Sequence, residues 1–182
     1  MERLELRMYG FVNYQLTGIQ KGIQFSHALT EYSFVNFHSM NYLDWAKYFK
    51  TVILLDGGTT NNNPEKLGTL NQIYNTLLEN DITCASFCEE DLGDQMTSIC
   101  FLVDERVFNR KKYLDLGDWV VENYGDLIKG DHRIGFNLNR LERDIKNSEI
   151  PLEKKIYQNW VEYIGGERNE FLRDYLPKFK LA

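Results

Sequence analysis

Four polar side chains near the amino end of the chain have types and a spacing that suit the wall of a binding or catalytic site. They lie in the segment LTGIQKGIQFSHALTEY and are Gln20, Gln24, His27 and Glu31. At about 100° per residue, a helix places all four within roughly 60° of one another. Amide, imidazole and carboxylate groups on one stripe can hold a polar ligand or move a proton. The same pattern is typical of the solvated face of a surface helix, and both interpretations stay open.

The rest of this helix, from about Ile19 to Asn36, indicates how it packs and what its start can bind. The opposite side carries the residues expected to face the core, which include Ile19, Ile23, Phe25, Leu29 and Tyr32. Gly18 and Gly22 each cost up to about 1 kcal/mol relative to alanine in a helix, which favours a close approach to the backbone there. The helix follows a strand, and the free N–H groups at such a start can receive anions. Lys21 adds a positive charge beside them.

A second group of candidate residues lies in the acidic loop CEEDLGDQMT. Its four carboxylates fall within six residues and are Glu89, Glu90, Asp91 and Asp94. The loop is longer and more acidic than a hairpin requires, and Thr97 follows it at the start of a strand. A carboxylate at the end of a strand can act as a general base. A solvated turn, in which Gly93 supplies a positive φ, is the structural alternative.

Neither histidine nor cysteine indicates a metal site. His27 and Glu31, four residues apart, lack a third ligand at a fixed spacing, and the three cysteines form no paired C-x-x-C motif. Metal sites in proteins usually show such spacings, so no metal is expected. The cysteines are expected to be small buried thiols rather than a zinc site or a nucleophile.

The chain alternates strand-like and helix-like segments up to about residue 105. LELRMYGFVNYQL and TVILLD are apolar runs typical of buried strands, and ITCASFC and TSICFLV are two further strands. Two strand–helix–strand crossovers predict parallel neighbours, and the short acidic loop predicts an antiparallel hairpin. The sequence therefore predicts an α/β domain over residues 1–105, with a mixed four-stranded sheet flanked by helices.

Residues 106–182 carry only helical patterns, and no Pro-, Gly- or Ser-rich linker precedes them. We therefore expect a helical C-terminal extension that packs on the sheet domain and can support a homodimer. Within the sheet domain, GGTTNNNP lacks the Gly-Lys-Ser/Thr ending of a phosphate loop, which predicts a mobile loop.

Composition and charge narrow the classes of function. Of the 182 residues, 43% are apolar and 26% are charged, as in a globular protein, and the net charge is −6. Nonspecific nucleic-acid binders are normally basic, so this charge argues against that class while leaving room for a local basic patch. No apolar run reaches the roughly 20 residues of a membrane helix, and the first residues lack a signal-peptide core. A cytoplasmic protein without a disulfide framework is expected.

Two motifs resemble those of the type 2 peptidyl-tRNA hydrolase family of archaea and eukaryotes, which has phage relatives. VNYQLTGIQKGIQFSHA is similar to the family's strand ending in Asn-x-x-Leu, its glycine–lysine region and its helix with Gln-x-x-His-Ala. The family's acidic residue at a strand end and its threonine entering the last strand correspond to Glu89 or Asp91 and to Thr97. The resemblance covers roughly residues 6–104 and implies the family's four-stranded fold.

The chain departs from the family pattern in two places. The family's catalytic lysine lies seven residues before the histidine, where this chain has Gln20, and Lys21 follows one position later. The usual Asp-Ala-Gly-Arg-Thr loop is replaced by EEDLGDQMT. With GGERNEFLRDYLPKFKLA at its end, the chain looks more like phage or large-virus relatives than like the housekeeping enzyme.

The resemblance implies hydrolysis of the ester that joins a peptide to the terminal ribose of tRNA, by a positioned water and without a cofactor. Asp91 or Glu89 would be the base, and Lys21 would stabilise negative charge. The residues implied for catalysis are Lys21, His27, Asp91 and Thr97, and those implied for substrate binding are Gln20, Gln24, Glu31 and Glu89. Lys47 and Lys50, with Lys21, would receive tRNA phosphates.

Two other classes of function remain open. The domain can have kept the fold and lost the reaction, and then bind a nucleotide signal, an RNA end or a host protein in the host cytoplasm as a counter-defence module. A purely structural interaction protein is the other alternative. It predicts that the helix stripe and the acidic loop share no hollow.

Overall fold

The computed structural model describes residues 3–129, 143 and 145–182 of the chain. Contacts divide the chain into two compact units. The sheet unit comprises Met1–Glu105 and Asp174–Ala182, and the helical unit comprises Arg106–Arg173. The end of the chain therefore belongs to the same unit as the sheet.

The sheet unit contains a four-stranded mixed sheet in the order β2-β1-β4-β3. Its strands are β1 (Leu6–Val12), β2 (Thr51–Asp56), β3 (Cys84–Glu89) and β4 (Gln95–Asp104). Strand β1 is parallel to β2 and antiparallel to β4, and β4 is antiparallel to β3. The predicted α/β architecture with a mixed four-stranded sheet is confirmed, as is the hairpin of β3 and β4.

The prediction that both crossovers join parallel neighbours is wrong for the second one, because β2 and β3 form opposite edges of the sheet. Strand β4 lies between β1 and β3, and its residues 98–104 pair with the whole length of β1. Both β1 and β4 are apolar on both faces, and such strands are most stable in the middle of a covered sheet. The long apolar β4 therefore takes the central position next to β1.

The outer edge of β2 pairs with the end of the chain. The Asp56 N–H donates to the Lys180 carbonyl at 2.9 Å, and the Ala182 N–H donates to the Leu54 carbonyl at 3.0 Å. The ring of Phe179 packs edge-on against Phe11 of β1, with the ring centroids 4.7 Å apart. This segment covers an edge that would otherwise present unpaired backbone groups, and the sequence pattern had not indicated it.

The helices of the described residues are α1 (Gly18–Asn36), α2 (Met40–Asp44), α3 (Thr69–Glu79), α4 (Glu105–Phe108), α5 (Leu116–Lys129), α6 (Pro151–Tyr163) and α7 (Glu167–Tyr175). A π-helical turn over Trp45–Phe49 follows α2, and a 3₁₀ turn over Glu90–Leu92 follows β3. In the helical unit, α5 and α6 supply most of an apolar cluster that contains Trp119 and Trp160. The described helices after residue 105 agree with the sequence pattern, but the last residues of the chain, which were also expected to be helical, instead pair with β2.

Helix α1 packs with a side that matches the predicted one only in part, since Phe25 and Tyr32 are buried as expected. Its buried residues are Gln24, Phe25, Ala28 and Tyr32. Ile19 and Ile23, which were expected to face the core, are exposed. The reason lies in β1, where a Cβ added to Gly10 would lie only 2.5 Å from the ring of Phe25. The Phe25 ring fills the space that this glycine leaves, which sets the rotation of the helix and turns Gln24 towards the sheet.

We predict that Gly10→Ala destabilises the protein by about 1–3 kcal/mol, because the new methyl group would overlap the ring of Phe25. The free energy of unfolding, measured by urea denaturation, checks this. Gly18→Ala is the matched control, since a Cβ there meets nothing within 4 Å. Equal effects of the two substitutions would show that the Phe25 ring does not depend on the space above Gly10.

Candidate functional site

The candidate site lies at the end of the sheet where β1 and β3 finish and β4 begins. Because β4 is antiparallel to both neighbours, these three strand ends meet at one side of the sheet. Asn13 directly follows β1, and its N–H donates to the Thr97 carbonyl of β4 at 3.0 Å. Helix α1 begins after this strand and passes over the same end.

The side chain of Gln24 joins α1 to both strands of the hairpin. Its Nε2 donates to Oε2 of Glu89 at 2.6 Å, and its Oε1 accepts a hydrogen bond from Oγ1 of Thr97 at 2.6 Å. Oγ of Ser98 also donates to the main-chain oxygen of Gln24, at 2.6 Å. Gln24, Thr97 and Ser98 are buried and Glu89 is half-buried. These contacts join residues 65 to 74 positions apart in the sequence.

A β-bulge gives Thr97 its direction. Successive strand residues normally point to opposite faces, yet Thr97 and Ser98 both reach helix α1. The register of the hairpin skips one residue here, because Phe87 lies opposite Ser98 while Cys88 lies opposite Met96. Thr97 is thus the extra residue of β4, and a bulge rotates the local backbone enough to re-aim its side chain.

The imidazole of His27 lies one helical turn beyond Gln24 and stacks on the ring of Phe87. The two ring centroids are 4.5 Å apart and the planes differ by 23°. Phe87 and Glu89 are two positions apart on β3, which places both side chains on the face that α1 covers. His27 is exposed, so one face of the imidazole rests on Phe87 while the other is open to solvent.

The GGTTNNNP loop forms the second side of the site. Nδ2 of Asn13 donates to Oγ1 of Thr60 at 3.0 Å, and this hydroxyl donates to the main-chain oxygen of Met96 at 2.5 Å. Nδ2 of Asn62 donates to the main-chain oxygen of Asp94, which ties this loop to the acidic one. The loop predicted to be mobile is thus held by hydrogen bonds next to Thr97. Sequence inspection missed Thr60, since only the fold brings it to β4.

The remaining predicted residues lie around this network rather than in it. Gln20 belongs to a capping box, in which its Oε1 accepts the N–H of Thr17 at 3.0 Å. Glu31 is exposed further along α1, and Asp91 is exposed in the 3₁₀ turn after β3. Lys21 is half-buried, one turn before Gln24, and makes no ion pair within the part of the chain that the structure describes. The structure thus brings together Gln24, Glu89 and Thr97, with His27 beside them.

The thiols are poor candidates for nucleophiles. Burial raises the pKa of Cys84 to about 11 and that of Cys100 to about 12. The Cys100 thiol donates to the main-chain oxygen of Ala28 at 3.2 Å. The prediction of buried thiols is wrong for Cys88, which is exposed because it lies near the end of β3. Partial burial together with the nearby Asp94 raises its pKa as well. Because the thiolate is the reactive form, these groups are weakly reactive at neutral pH.

Comparisons with known proteins leave the site to be interpreted from its own geometry, since no protein-family model and no curated protein matches the chain. Among residues 3–129, 143 and 145–182, no three His, Cys, Asp or Glu side chains lie close enough together to hold a metal ion. None of the helices in this described part is both long and apolar enough to cross a membrane.

We predict that iodoacetamide alkylates only Cys88 in the folded protein at pH 7.5, and more slowly than the free thiol of a cysteine within a short unstructured peptide. The rate should rise about tenfold per pH unit below the thiol pKa, because the thiolate fraction does so. Mass spectrometry of timed samples checks which cysteines react. Native labelling of Cys84 or Cys100 would contradict their burial, and labelling of Cys88 faster than the free thiol would contradict its raised pKa.

Proposed function

We propose that the sheet unit hydrolyses the ester bond of peptidyl-tRNA, or of a related aminoacyl- or peptidyl-RNA ester, with a positioned water. The observation that supports this most is the Gln24 amide, which holds the Glu89 carboxylate at the strand ends that also carry Thr97 and Asn13. A carboxylate held in place by a hydrogen bond and still partly exposed to water meets the requirement for a water-activating base. The resemblance to the type 2 peptidyl-tRNA hydrolase family points to the same residues.

In this proposal Glu89 is the general base. Gln24 donates to Oε2, which orients the carboxylate and leaves Oε1 to take a proton from water. The water oxygen attacks the ester carbonyl, the bond between the carbonyl carbon and the ribose oxygen then breaks, and the protonated Glu89 returns its proton to the ribose oxygen. Glu89 suits this role better than Asp91, because Asp91 lies exposed in the turn and makes no hydrogen bond to the Gln24 network among the described residues.

Thr97 acts as a positioning residue in this scheme. Its hydroxyl donates to Oε1 of Gln24, so the amide NH₂ must face the Glu89 carboxylate. The reverse amide orientation would place a carbonyl oxygen against a carboxylate, two groups that only accept hydrogen bonds. Thr97 therefore fixes the direction of the base through Gln24.

Lys21 is the residue that we assign to the developing oxyanion. It lies three positions before Gln24 and is half-buried on the sheet-facing side of α1. Its ammonium group makes no ion pair with a described residue, so it is available to a ligand. A lysine side chain is long and flexible, and a cation placed near a tetrahedral intermediate lowers its energy.

The open face of His27 provides a place for the terminal base of the RNA. Nucleic-acid bases stack on aromatic side chains, and the contact with Phe87 holds the imidazole in a fixed plane. Lys47 and Lys50 are exposed near the start of β2, at the other end of the sheet from Asn13. The strand that separates these lysines from the site is roughly 20 Å long, which is the length of about six stacked nucleotides. Phosphates of an acceptor stem can therefore contact these lysines while the terminal ester lies at the site.

Binding without turnover is the second candidate function. Here the site would hold a nucleotide signal, an RNA end or a host protein. Lys21 favours this alternative, because its ammonium group contacts neither Glu89 nor Thr97 among the described residues. The replacement of the family's loop by EEDLGDQMT favours it as well.

We predict that the purified protein releases labelled peptide from peptidyl-tRNA and that Glu89→Gln lowers the rate by about 10²- to 10⁴-fold, the usual contribution of a general base. Glutamine has the shape of glutamate and can still accept the Gln24 bond, so the fold is retained. Glu90→Gln is the matched control, since it makes the same change at an exposed neighbour. It should keep the wild-type rate.

Each other outcome of this assay has a definite meaning. Equal release by the wild type, by Glu89→Gln and by Asp91→Asn, all prepared in the same way, would indicate a contaminating hydrolase and refute the proposal. Loss of release in Asp91→Asn, but not in Glu89→Gln, would move the base to Asp91. Tight binding of tRNA by fluorescence anisotropy without any release would support the binding module instead.

A further inference from the structure

The outward side of α1 carries a regular row of exposed residues, which we call the outer stripe. Its members are Ile19, Ile23, Ser26, Thr30, Phe34 and Phe37, and all six are exposed. Their spacing of four and three residues keeps them on one side of the helix, away from the buried residues that face the sheet. A row of this spacing is typical of a helix that packs against a second helix.

The outer stripe lacks charge and has no hydroxyl donor left free. The charged residues of α1, Lys21 and Glu31, lie outside the stripe. Oγ of Ser26 donates to the main-chain oxygen of Gly22, and Oγ1 of Thr30 donates to that of Ser26, both at 2.8 Å. Covering the stripe would therefore bury no charge and no unsatisfied hydroxyl proton, which are the groups that normally oppose burial.

The exposed apolar area of this side of the molecule is large. Ile19 and Phe34 are 80% and 79% exposed, and Phe37 and Ile23 are 61% and 49% exposed. Met40, three residues beyond Phe37 at the start of α2, is 70% exposed. At roughly 200 Å² per large side chain, these fractions amount to roughly 700 Å². A stable interface buries about 800 Å² on each partner, so the stripe is close to sufficient for one.

We propose that the occupant of the outer stripe is a second copy of this chain, bound through α1 in antiparallel orientation about a two-fold axis. The stripe is self-complementary about a point between Ser26 and Thr30. A two-fold crossing there places the isoleucines of one copy opposite the phenylalanines of the other. The small residues Ser26 and Thr30 then lie at the crossing, where they let the two helices approach to about 8 Å.

The charge distribution on α1 does not oppose a second copy at this surface. Each chain carries a net charge of −6, so most orientations of two copies place like charges together. The uncharged stripe is a surface on which two acidic chains can meet without opposing carboxylates. An antiparallel crossing further sets the positive end of each helix dipole near the negative end of the other.

This dimer differs from the one expected from the sequence, which used the C-terminal helices. It is also independent of the proposed hydrolysis, because the stripe residues lie on another side of α1 from the side chain of Gln24. Either proposal can therefore fail without the other.

Sedimentation equilibrium of the full chain tests the proposal. We expect a wild-type dimer at roughly 100 µM that dissociates on dilution, as mass action requires. Phe34→Glu should weaken dimerisation at least about tenfold, because it places a carboxylate in the apolar stripe. Val35→Glu is the matched control on the same helix. Val35 is 65% exposed but lies away from the stripe, so the substitution should leave the dimer unchanged.

A cross-linking experiment tests the antiparallel order. Chains carrying Ser26→Cys and chains carrying Thr30→Cys, each with Cys88→Ser, are mixed and oxidised. The proposal predicts a disulfide between the two kinds of chain in preference to either homodimer. A monomeric wild type, equal effects of Phe34→Glu and Val35→Glu, or unaltered dimerisation of Phe34→Glu would each refute the interface. Preferential Ser26→Cys homodimers would refute its antiparallel geometry.

Discussion

The buried amide of Gln24 is the interaction on which the candidate site depends. It satisfies a half-buried carboxylate on one strand and a buried hydroxyl on the next, and neither group has a comparable partner in α1. Without Gln24, the Glu89 carboxylate would lose this donor and the Thr97 hydroxyl would keep only its longer contact, 3.3 Å, with the Phe87 carbonyl. A buried polar group left unpaired costs about 1–3 kcal/mol. The hydrogen bonds of this buried glutamine therefore compensate for its burial, in a helix that leaves isoleucines exposed. The same hydrogen bonds hold the helix in position over the hairpin.

The rotation of α1 that places Gln24 there is set by the packing of Phe25 into the space above Gly10. That single fit has two consequences on opposite sides of the helix. It turns the side of α1 that carries Gln24 and His27 towards the ends of β3 and β4. It also turns Ile19, Ile23 and Phe34 outwards to solvent. The polar site and the exposed apolar row are thus two results of one packing constraint.

The sequence predicted the individual helices and strands better than it predicted how the strands pair and how the helices pack. Periodicity and apolar runs predicted the strands, α1 and the hairpin, because these depend on local pattern. They did not predict that β4 separates β1 from β3 or that the end of the chain pairs with β2, since pairing partners far apart in sequence leave no local signal. The buried side of α1 was also misassigned, because hydrophobicity favoured Ile19 and Ile23 over Gln24. The bulge at Thr97 and the contact of Thr60 depend on the assembled sheet and have no pattern of their own.

The rotation of α1 also determines where Lys21 lies, the lysine that is one position later than in the family pattern. A shift of one residue moves a side chain by about 100° around a helix, so Gln20 and Lys21 lie on either side of Gln24. Gln20 lies on the exposed side and caps the helix, while Lys21 is half-buried on the side that carries Ala28 and Tyr32 against the sheet. Because the Gln20 side chain is engaged in this cap, Lys21 is the one of the two whose side chain has no hydrogen-bond or ion-pair partner among the described residues. The displaced lysine is therefore compatible with a cationic role at the site, because the helix that carries it is turned by the packing of Phe25.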